Sequence, residues 1–231
     1  MTPVNMLQHI PLFEALRLTD RQRLAALLRK HTIKKGEVLF RKGDEGNAFY
    51  IIIKGRIKIA LTSNQEDEIT LAVFADGDFF GEMALLDGLP RSADAVAAET
   101  TQLYVLSRND FFSFLIHNED AVKSILYVLS LRLRKTDNLL GETAFLNVSV
   151  RLMKRLVDLM ELQGQRIDGS NDLKINITQK ELASLVGVSR ESINKKLKGL
   201  SNKGILTTKR NTLIIKNPEF LKRPYQIRKL V

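Results

Sequence analysis

The chain has 231 residues, 44% of them hydrophobic, no cysteine and a net charge of +10. The absence of cysteine excludes disulfides, cysteine-ligated iron–sulfur clusters and thiol catalysis. The three histidines, His9, His31 and His117, fall in separate segments expected to be helical, so no metal site is predicted. No stretch approaches the roughly 20 apolar residues of a membrane span, and the first residues lack a secretory signal, so we expect a cytoplasmic protein without membrane contact.

The positive charge is concentrated in the second part of the chain. Residues 1–147 hold 18 Lys and Arg against 19 Asp and Glu, a net charge of −1, whereas residues 148–231 hold 18 against 7, a net charge of +11. A nearly neutral part joined to a strongly basic part indicates a polyanionic partner for the second part only.

The N-terminal part changes its hydrophobic period along the chain. Residues 12–30 carry leucines at helical spacing and predict a helix, with Thr19 and Asp20 as a cap for a segment starting near Arg21. From about 32 to 106 the period becomes two, and short runs rich in Ile, Val, Phe and Thr alternate with glycine-bearing turns. Many short strands predict a sandwich or barrel, in which Gly43 and Gly55 are turn glycines with positive φ.

One segment with a helical pattern, residues 80–93, interrupts this run of strands. It carries Gly81-Glu82 at one end and Arg91-Ser92 at the other. A glycine before a short helical turn lets backbone N–H groups approach an anion, and an arginine fork matches two phosphate oxygens. Because Glu82 can accept from a sugar hydroxyl, these are the parts of a site for a small sugar phosphate. The alternative is a surface turn with an unpaired Arg91.

Residues 110–146 predict one long helix with a coiled-coil-like seam. Apolar and threonine residues recur along it at a 4-3 spacing: Val122, Leu126, Leu129, Leu133, Thr136, Leu140 and Thr143. The polar threonines favour a dimer interface, and a single helix packed on its own domain is the alternative. Asn147 is a plausible cap for a further helix over 148–163, and residues 164–173 predict a surface loop.

The basic part contains the pattern of a winged helix-turn-helix. Thr178 and Glu181 form a capping box that begins a helix over 179–186, Gly187 supplies the turn, and Ser189 caps a second helix over 190–202. A hairpin with a basic tip, Lys209-Arg210-Asn211, follows as a wing. The second helix is expected to expose Arg190, Glu191, Asn194, Lys195 and Lys198. Inside a segment of charge +11, this order of elements favours DNA binding.

These motifs together resemble the Crp/Fnr transcription regulators over nearly the whole chain. The resemblance includes residues 144–147 at the domain junction and residues 186–193 of the turn and recognition helix. It implies an α+β fold with a jelly-roll-like cyclic-nucleotide-binding β-roll over 1–119, a dimerisation helix over 120–146 and a winged helix-turn-helix over 147–231.

The resemblance also implies roles for individual residues. The effector-binding residues it implies are Gly81, Glu82, Arg91, Ser92, Arg132 and Thr136, and we add Met83 and Asp137 to the predicted site. Among them, Arg132 pairs with Glu82, and Thr136 reaches the base. The predicted DNA-binding residues, taken from the helix-turn-helix and wing pattern together with the resemblance, are Thr178, Gln179, Ser189, Arg190, Glu191, Ser192, Asn194, Lys195, Lys198 and Arg210. Arg190, Glu191 and Lys195 are the three that read base edges in the major groove.

Two positions depart from the family pattern. Asp137 stands where cyclic-AMP binders carry serine, and its carboxylate suits the two donors of guanine at least as well as the amino group of adenine. A solvated Asp137 without a role is the alternative. Lys195 replaces the usual arginine and lacks the bidentate fork, so the half-site can differ from TGTGA.

The sequence thus predicts a homodimeric DNA-binding regulator, not an enzyme, controlled by cyclic AMP or cyclic GMP and without a covalent cofactor or metal. Its partners are double-stranded DNA, a second copy and RNA polymerase, for which residues 164–173 are a candidate contact. The main alternative is a regulator of this type that binds DNA without a nucleotide or with another ligand, such as haem. A kinase-type or channel-type nucleotide sensor is disfavoured by the winged helix, and a metal-dependent enzyme on a barrel is disfavoured by the lack of histidine ligands.

Overall fold

The computed structural model describes residues 2–10, 12–14, 16–63 and 68–226. The chain forms two compact units, of which the first comprises Met1–Thr62 with Thr70–Thr136 and the second comprises Ser63–Ile69 with Asp137–Val231. No helix among the described residues combines the length and the apolar character that crossing a membrane requires.

The first unit begins with two short helices, α1 (Pro3–Leu7) and α2 (Leu18–Leu27). The predicted helix over 12–30 is therefore wrong at both ends. The predicted cap at Thr19 and Asp20 is also wrong, because α2 begins after Arg17, whose backbone is extended. Leu12 and Leu16 lie in turns but are buried in the core. Their helical spacing reflects burial from irregular backbone, which periodicity alone cannot distinguish from a helix.

Among the described residues of this part of the chain, eight strands form two four-stranded sheets. The sheets have the strand orders β1-β8-β3-β6 and β2-β7-β4-β5. The strands are β1 (Arg29–Ile33), β2 (Val38–Phe40), β3 (Ala48–Lys54), β4 (Ile57–Thr62), β5 (Glu68–Phe74), β6 (Phe79–Phe80), β7 (Asp94–Ala97) and β8 (Thr101–Ser107). The predicted run of short strands is confirmed, as are positive φ angles at Gly43 and Gly55. His31 lies in a strand, so its predicted helical setting is wrong.

The core of the first unit is rich in aromatic rings. Phe49 stacks on Phe111 with ring centroids 4.9 Å apart, and Phe79 lies 5.3 Å from Phe49. Burying such rings removes about 150–250 Å² of surface each from water, so these contacts stabilise the core of the first unit. The short helix α3 (Glu82–Asp87) follows β6 directly, so the packing of Phe79 places the start of α3 at the core.

The predicted long helix over 110–146 is two helices. They are α4 (Arg108–Ile116) and α5 (Glu119–Phe145). The break falls at Asn118, whose Oδ1 accepts from Ala121 N at 3.2 Å and caps the second helix. Along α5, Leu126 and Leu133 are exposed in the single chain, whereas Leu129 packs against the core of the first unit.

The second unit combines helices with a small antiparallel sheet. Its elements are α6 (Val148–Gln163), β9 (Gln165–Arg166), β10 (Leu173–Asn176), α7 (Gln179–Val186), α8 (Arg190–Asn202), β11 (Leu206–Lys209), β12 (Thr212–Ile215) and α9 (Pro218–Gln226), with strand order β11-β12-β10-β9. The predicted cap at Asn147 is confirmed, since Asn147 accepts from Val150 N at 3.1 Å. The prediction of a loop over 164–173 is partly wrong, because β9 pairs with β10 there.

Candidate nucleotide site and nucleic-acid interface

Gly81 forms the turn between β6 and α3 with a φ of 85°. A Cβ at this position would lie 2.8 Å from Arg91 Nη1 and 3.1 Å from Ala48 O. Glycine is therefore needed twice, for its left-handed backbone and for the close approach of the arginine. The turn brings the two ends of the 80–93 segment together, as the sequence predicted.

Arg91 is a buried arginine, only 4% exposed. Its Nη1 donates to Gly81 O at 2.8 Å, its Nη2 donates to Ala48 O at 2.7 Å, and its Cζ lies 4.2 Å from the centroid of the Phe40 ring. The alternative of a surface turn with an unpaired Arg91 is wrong. Burial lowers the pKa of the Arg91 guanidinium, and the neighbouring Tyr50 opposes this; burial likewise raises the pKa of Tyr50, and Arg91 opposes that shift.

Glu82 is buried in an ion pair with Arg132 of α5. The side chain of Glu82 is 4% exposed, and Arg132 Nη1 donates to its Oε1 at 2.6 Å. Arg132 also donates to Phe79 O, and its Cζ lies 4.5 Å from the ring centroid of Phe74 and 4.6 Å from that of Phe79. The pairing of Glu82 with Arg132 that the resemblance implies is therefore present, and it ties α3 to α5.

Two buried polar atoms at this site lack a hydrogen bond among the described residues. They are Glu82 Oε2, an acceptor, and Arg91 Nε, a donor. An unsatisfied buried polar group costs about 1–3 kcal/mol, and more when it is charged. A hydroxyl donor would satisfy Glu82 Oε2, and an anionic acceptor would satisfy Arg91 Nε.

The remaining predicted effector residues are more exposed. Met83 is half exposed, and Ser92 Oγ lies 3.7 Å from Met83 Sδ. Thr136 Oγ1 donates to Arg132 O at 3.1 Å, one turn back on α5, and Asp137 is exposed. Among the predicted effector residues, side-chain hydrogen bonds therefore join Arg91 to Gly81, Arg132 to Glu82 and Thr136 to Arg132.

The sequence analysis missed the aromatic residues that pack on the two arginines. Phe40 and Tyr50 flank Arg91, while Phe74 and Phe79 flank Arg132. These residues lie on β2, β3, β5 and β6, so only the pairing of strands brings them to the site. The available signal was an excess of aromatic residues in strands next to the 80–93 segment.

The helix-turn-helix of the second unit is formed as predicted. Both bonds of the capping box are present, from Glu181 N to Thr178 Oγ1 and from Thr178 N to Glu181 Oε2. Gly187 takes a φ of 72°, and Ser189 Oγ accepts from Ser192 N at 3.3 Å to cap α8. The bounds of α7 and α8 agree with the sequence because each end carries its own signal, a cap or a left-handed glycine.

The polar face of α8 supplies side chains that can reach a nucleic acid. Its exposed residues include Arg190, Glu191, Ser192, Lys195 and Lys198. Asn194 is half-buried and its Oδ1 is buried without a hydrogen bond among the described residues, so the expectation that α8 exposes Asn194 is wrong for this atom. A bidentate contact to adenine needs both polar atoms of an asparagine, and Asn194 does not present both.

A basic groove separates the helix-turn-helix from the wing. The wing is the hairpin of β11 and β12, closed by Arg210 and Asn211, with Asn211 at a φ of 58°. The groove encloses about 600 Å³ and its polar lining comprises Thr178, Gln179, Lys180, Arg190, Thr208, Lys209, Arg210 and Asn211. Lys180 and Lys209 were not among the predicted DNA-binding residues, although both lie in basic stretches of the sequence. Four cations around one groove suit a phosphate backbone.

The described residues hold no group of three or more His, Asp or Glu side chains placed to bind a metal ion. The charged side chains at the site of the first unit are Arg91, Arg132 and Glu82.

Comparison with known proteins separates the same two parts. Residues 30–118 match the family model of the cyclic nucleotide-binding domain, and residues 150–223 match that of the Crp-like helix-turn-helix domain. The chain is 31% identical to the CRP-like cAMP-activated global transcriptional regulator of Mycobacterium tuberculosis, over 82% of this chain and 84% of the relative. It is 30% identical to the cyclic AMP receptor protein of Thermus thermophilus, over 91% and 94%.

Among solved structures, the chain resembles that of the c-di-GMP responsive global regulator CLP of Xanthomonas campestris. The TM-score is 0.78 at 26% identity, with 86% of this chain and 99% of that chain covered. That protein and the mycobacterial relative are both global regulators.

Proposed function

Because the chain belongs to the Crp/Fnr family of DNA-binding transcription regulators, we propose that it works as a homodimer whose DNA binding is controlled by a cyclic nucleotide. The helix-turn-helix supplies the DNA contact, and the β-roll supplies the effector site. Consistent with the sequence analysis, the relatives indicate a regulator and not an enzyme.

The pair of unsatisfied buried atoms, Glu82 Oε2 and Arg91 Nε, carries the proposal of a nucleotide effector. A ribose hydroxyl would donate to Glu82, and a phosphate oxygen would accept from Arg91 and from Ser92. Gly81 lets Arg91 lie against the turn before α3, since a Cβ there would lie 2.8 Å from Arg91 Nη1. When bound, the nucleotide would supply a hydroxyl donor for Glu82 Oε2 and an anionic acceptor for Arg91 Nε.

Control of DNA binding would pass through Arg132. A ligand that engages Glu82 alters the partner of Arg132, and Arg132 belongs to α5, whose exposed leucines would form the dimer interface with Thr136. A ligand that binds one arrangement of α5 better than another shifts the population toward that arrangement.

DNA recognition would place α8 in the major groove. Arg190 and Lys195 would donate to guanine and Glu191 would accept from cytosine. The lysines and arginines of the groove beside the wing would contact phosphates. In a dimer the two recognition helices enter successive major grooves about 34 Å apart. The turn over 164–173 is a candidate contact for RNA polymerase.

Cyclic AMP is the first candidate effector, because two relatives are named for their response to it. Asp137 favours a guanine base instead, because its carboxylate can accept from both donors of that base. The CLP regulator responds to c-di-GMP, which makes a cyclic dinucleotide the third candidate. A direct comparison of the three decides among them.

Isothermal titration of the wild-type protein with cyclic AMP, cyclic GMP and c-di-GMP tests the effector. We expect saturable binding of at least one, and a loss of at least about tenfold in affinity for Glu82→Gln, since a hydrogen bond to a charged group contributes about 1.5–3 kcal/mol. The matched control is Glu99→Gln, which removes the charge of an exposed carboxylate paired with Arg56. Binding of none of the three ligands, or equal binding by Glu82→Gln, contradicts the proposal.

A second candidate function is a regulator that binds DNA without a nucleotide. The observation that favours it is the engagement of Arg91, which already donates to two backbone carbonyls and packs on Phe40. In that case Arg91 has a structural role only, and DNA affinity would be the same with and without each nucleotide.

A further inference from the structure

A cluster of charges joins the end of α5 to α6 in the second unit. Glu142, in the last turns of α5, has a side chain only 12% exposed. Its Oε1 contacts Lys154 Nζ, and its Oε2 accepts from Arg155 Nη2 at 2.8 Å. Both carboxylate oxygens of Glu142 are thus held by cations of α6.

Arg155 continues this connection to the helix-turn-helix. Its Nη1 donates to Asp158 Oδ2 at 3.0 Å, and its Nε donates to Leu185 O at 3.2 Å. Leu185 belongs to the last turn of α7, where carbonyls lack partners within the helix. One planar guanidinium therefore links Glu142 of α5 with the end of α7, a span that a single lysine ammonium cannot reproduce.

A second arginine strengthens the attachment of α5. Arg151 is buried, and its Nη1 donates to Thr143 O at 3.3 Å, in the last turn of α5. Cations at the C-terminus of a helix are favoured by the helix dipole. The last turn of α5 is accordingly held by three consecutive cations of one face of α6, namely Arg151, Lys154 and Arg155.

We propose that Arg155 is a positioning residue that makes the last turns of α5 and the helix-turn-helix move as one body. The proposal rests on the proposed dimer. Because α7 leads through Gly187 directly into α8, fixing the end of α7 also fixes the recognition helix. In a dimer built on α5, this attachment would determine the separation of the two recognition helices.

The test measures how strictly the protein requires one spacing between half-sites. Duplexes recovered by the wild-type protein from a random pool serve as probes, together with versions that carry one base pair more or fewer at the centre. Each change rotates the half-sites by about 34° and shifts them by about 3.4 Å. We expect wild-type affinity to fall at least roughly tenfold on each altered duplex, the scale of a typical coupling between sites.

Arg155→Met should bind the altered duplexes nearly as tightly as the duplex of original spacing. Arg155→Lys should show the same loss of spacing preference, because its ammonium cannot bridge Glu142 and Leu185. A purely structural defect lowers the folded fraction and weakens all duplexes equally, leaving their ratio unchanged. Arg56→Met, which removes the bidentate pair with Glu99, is the matched control and should keep the wild-type ratio.

The outcomes separate this inference from the proposed function. If both Arg155 variants keep the wild-type spacing ratio, the role of Arg155 is wrong while the dimeric regulator stands. If the wild-type protein shows no spacing preference, the proposed dimer on DNA is wrong, and the positioning role of Arg155 is wrong as well.

Discussion

At the scale of single residues, the site depends on buried polar groups whose partners are backbone atoms. Arg91 donates to the carbonyl of Ala48, 43 residues earlier in the chain, and Arg132 donates to the carbonyl of Phe79. The motif predicted the residue types, because a fork of donors beside a glycine and a glutamate suits a sugar phosphate. The motif could not predict the backbone carbonyls that accept from these arginines, because their positions depend on how β3 and β6 pair.

Gly81 allows a prediction with a close control. Gly81→Ala places a Cβ 2.8 Å from Arg91 Nη1 in a backbone with a φ of 85°, whereas Gly77→Ala introduces the same methyl group at a φ of 84° into open space. Both variants carry the cost of a left-handed alanine, about 1 kcal/mol or more. We expect Gly81→Ala to be the less stable of the two in urea denaturation and to lose nucleotide affinity as well.

The difference between these two variants isolates the contact with Arg91. Equal free energies of unfolding and equal nucleotide affinities for Gly81→Ala and Gly77→Ala would show that the close approach has no role.

At the scale of elements, local signals predicted some boundaries well and others poorly. The bounds of α7 and α8 followed from Thr178, Gly187 and Ser189, since caps and left-handed glycines act on their immediate neighbours. The helix over 12–30 was wrong because buried leucines in turns imitate a helical period. The break at Asn118 was missed although a local cap marks it, because the apolar spacing continues on both sides of it. The strand β9 was missed because its pairing with β10 defines it.

The helix α5 gives a prediction about assembly. Leu133 is 63% exposed in the single chain and lies on the predicted seam, whereas its neighbour Arg134 is exposed off the seam. Leu133→Glu would bury a charge in the proposed dimer interface, at a cost that weakens association by at least about tenfold. Sedimentation velocity across a concentration series should show monomer for Leu133→Glu and dimer for the control Arg134→Glu.

A dimer that persists unchanged in Leu133→Glu would place the interface elsewhere than on this face of α5. Loss of the dimer in both variants would indicate a general effect of negative charge on the helix.

At the scale of the whole molecule, the uneven charge of the sequence predicted that the two parts of the chain bind different kinds of partner. A net charge of −1 over residues 1–147 and of +11 over 148–231 separates a small-ligand part from a polyanion-binding part. The two family models match the chain in the same order, at residues 30–118 and 150–223. Composition could not predict how the parts communicate, because that depends on single contacts such as Glu82 with Arg132 and Glu142 with Arg155.

The central claim is that a cyclic nucleotide in the β-roll increases the affinity of the protein for DNA. The most direct measurement is fluorescence anisotropy of a labelled duplex, selected by the protein from a random pool, titrated with wild-type protein at fixed salt with and without saturating cyclic AMP or cyclic GMP. We predict that one nucleotide raises the DNA affinity about 5–150-fold, the usual range for coupled sites, and that Glu82→Gln loses this increase. DNA affinity that no nucleotide changes, or an equal increase in Glu82→Gln, would contradict the account.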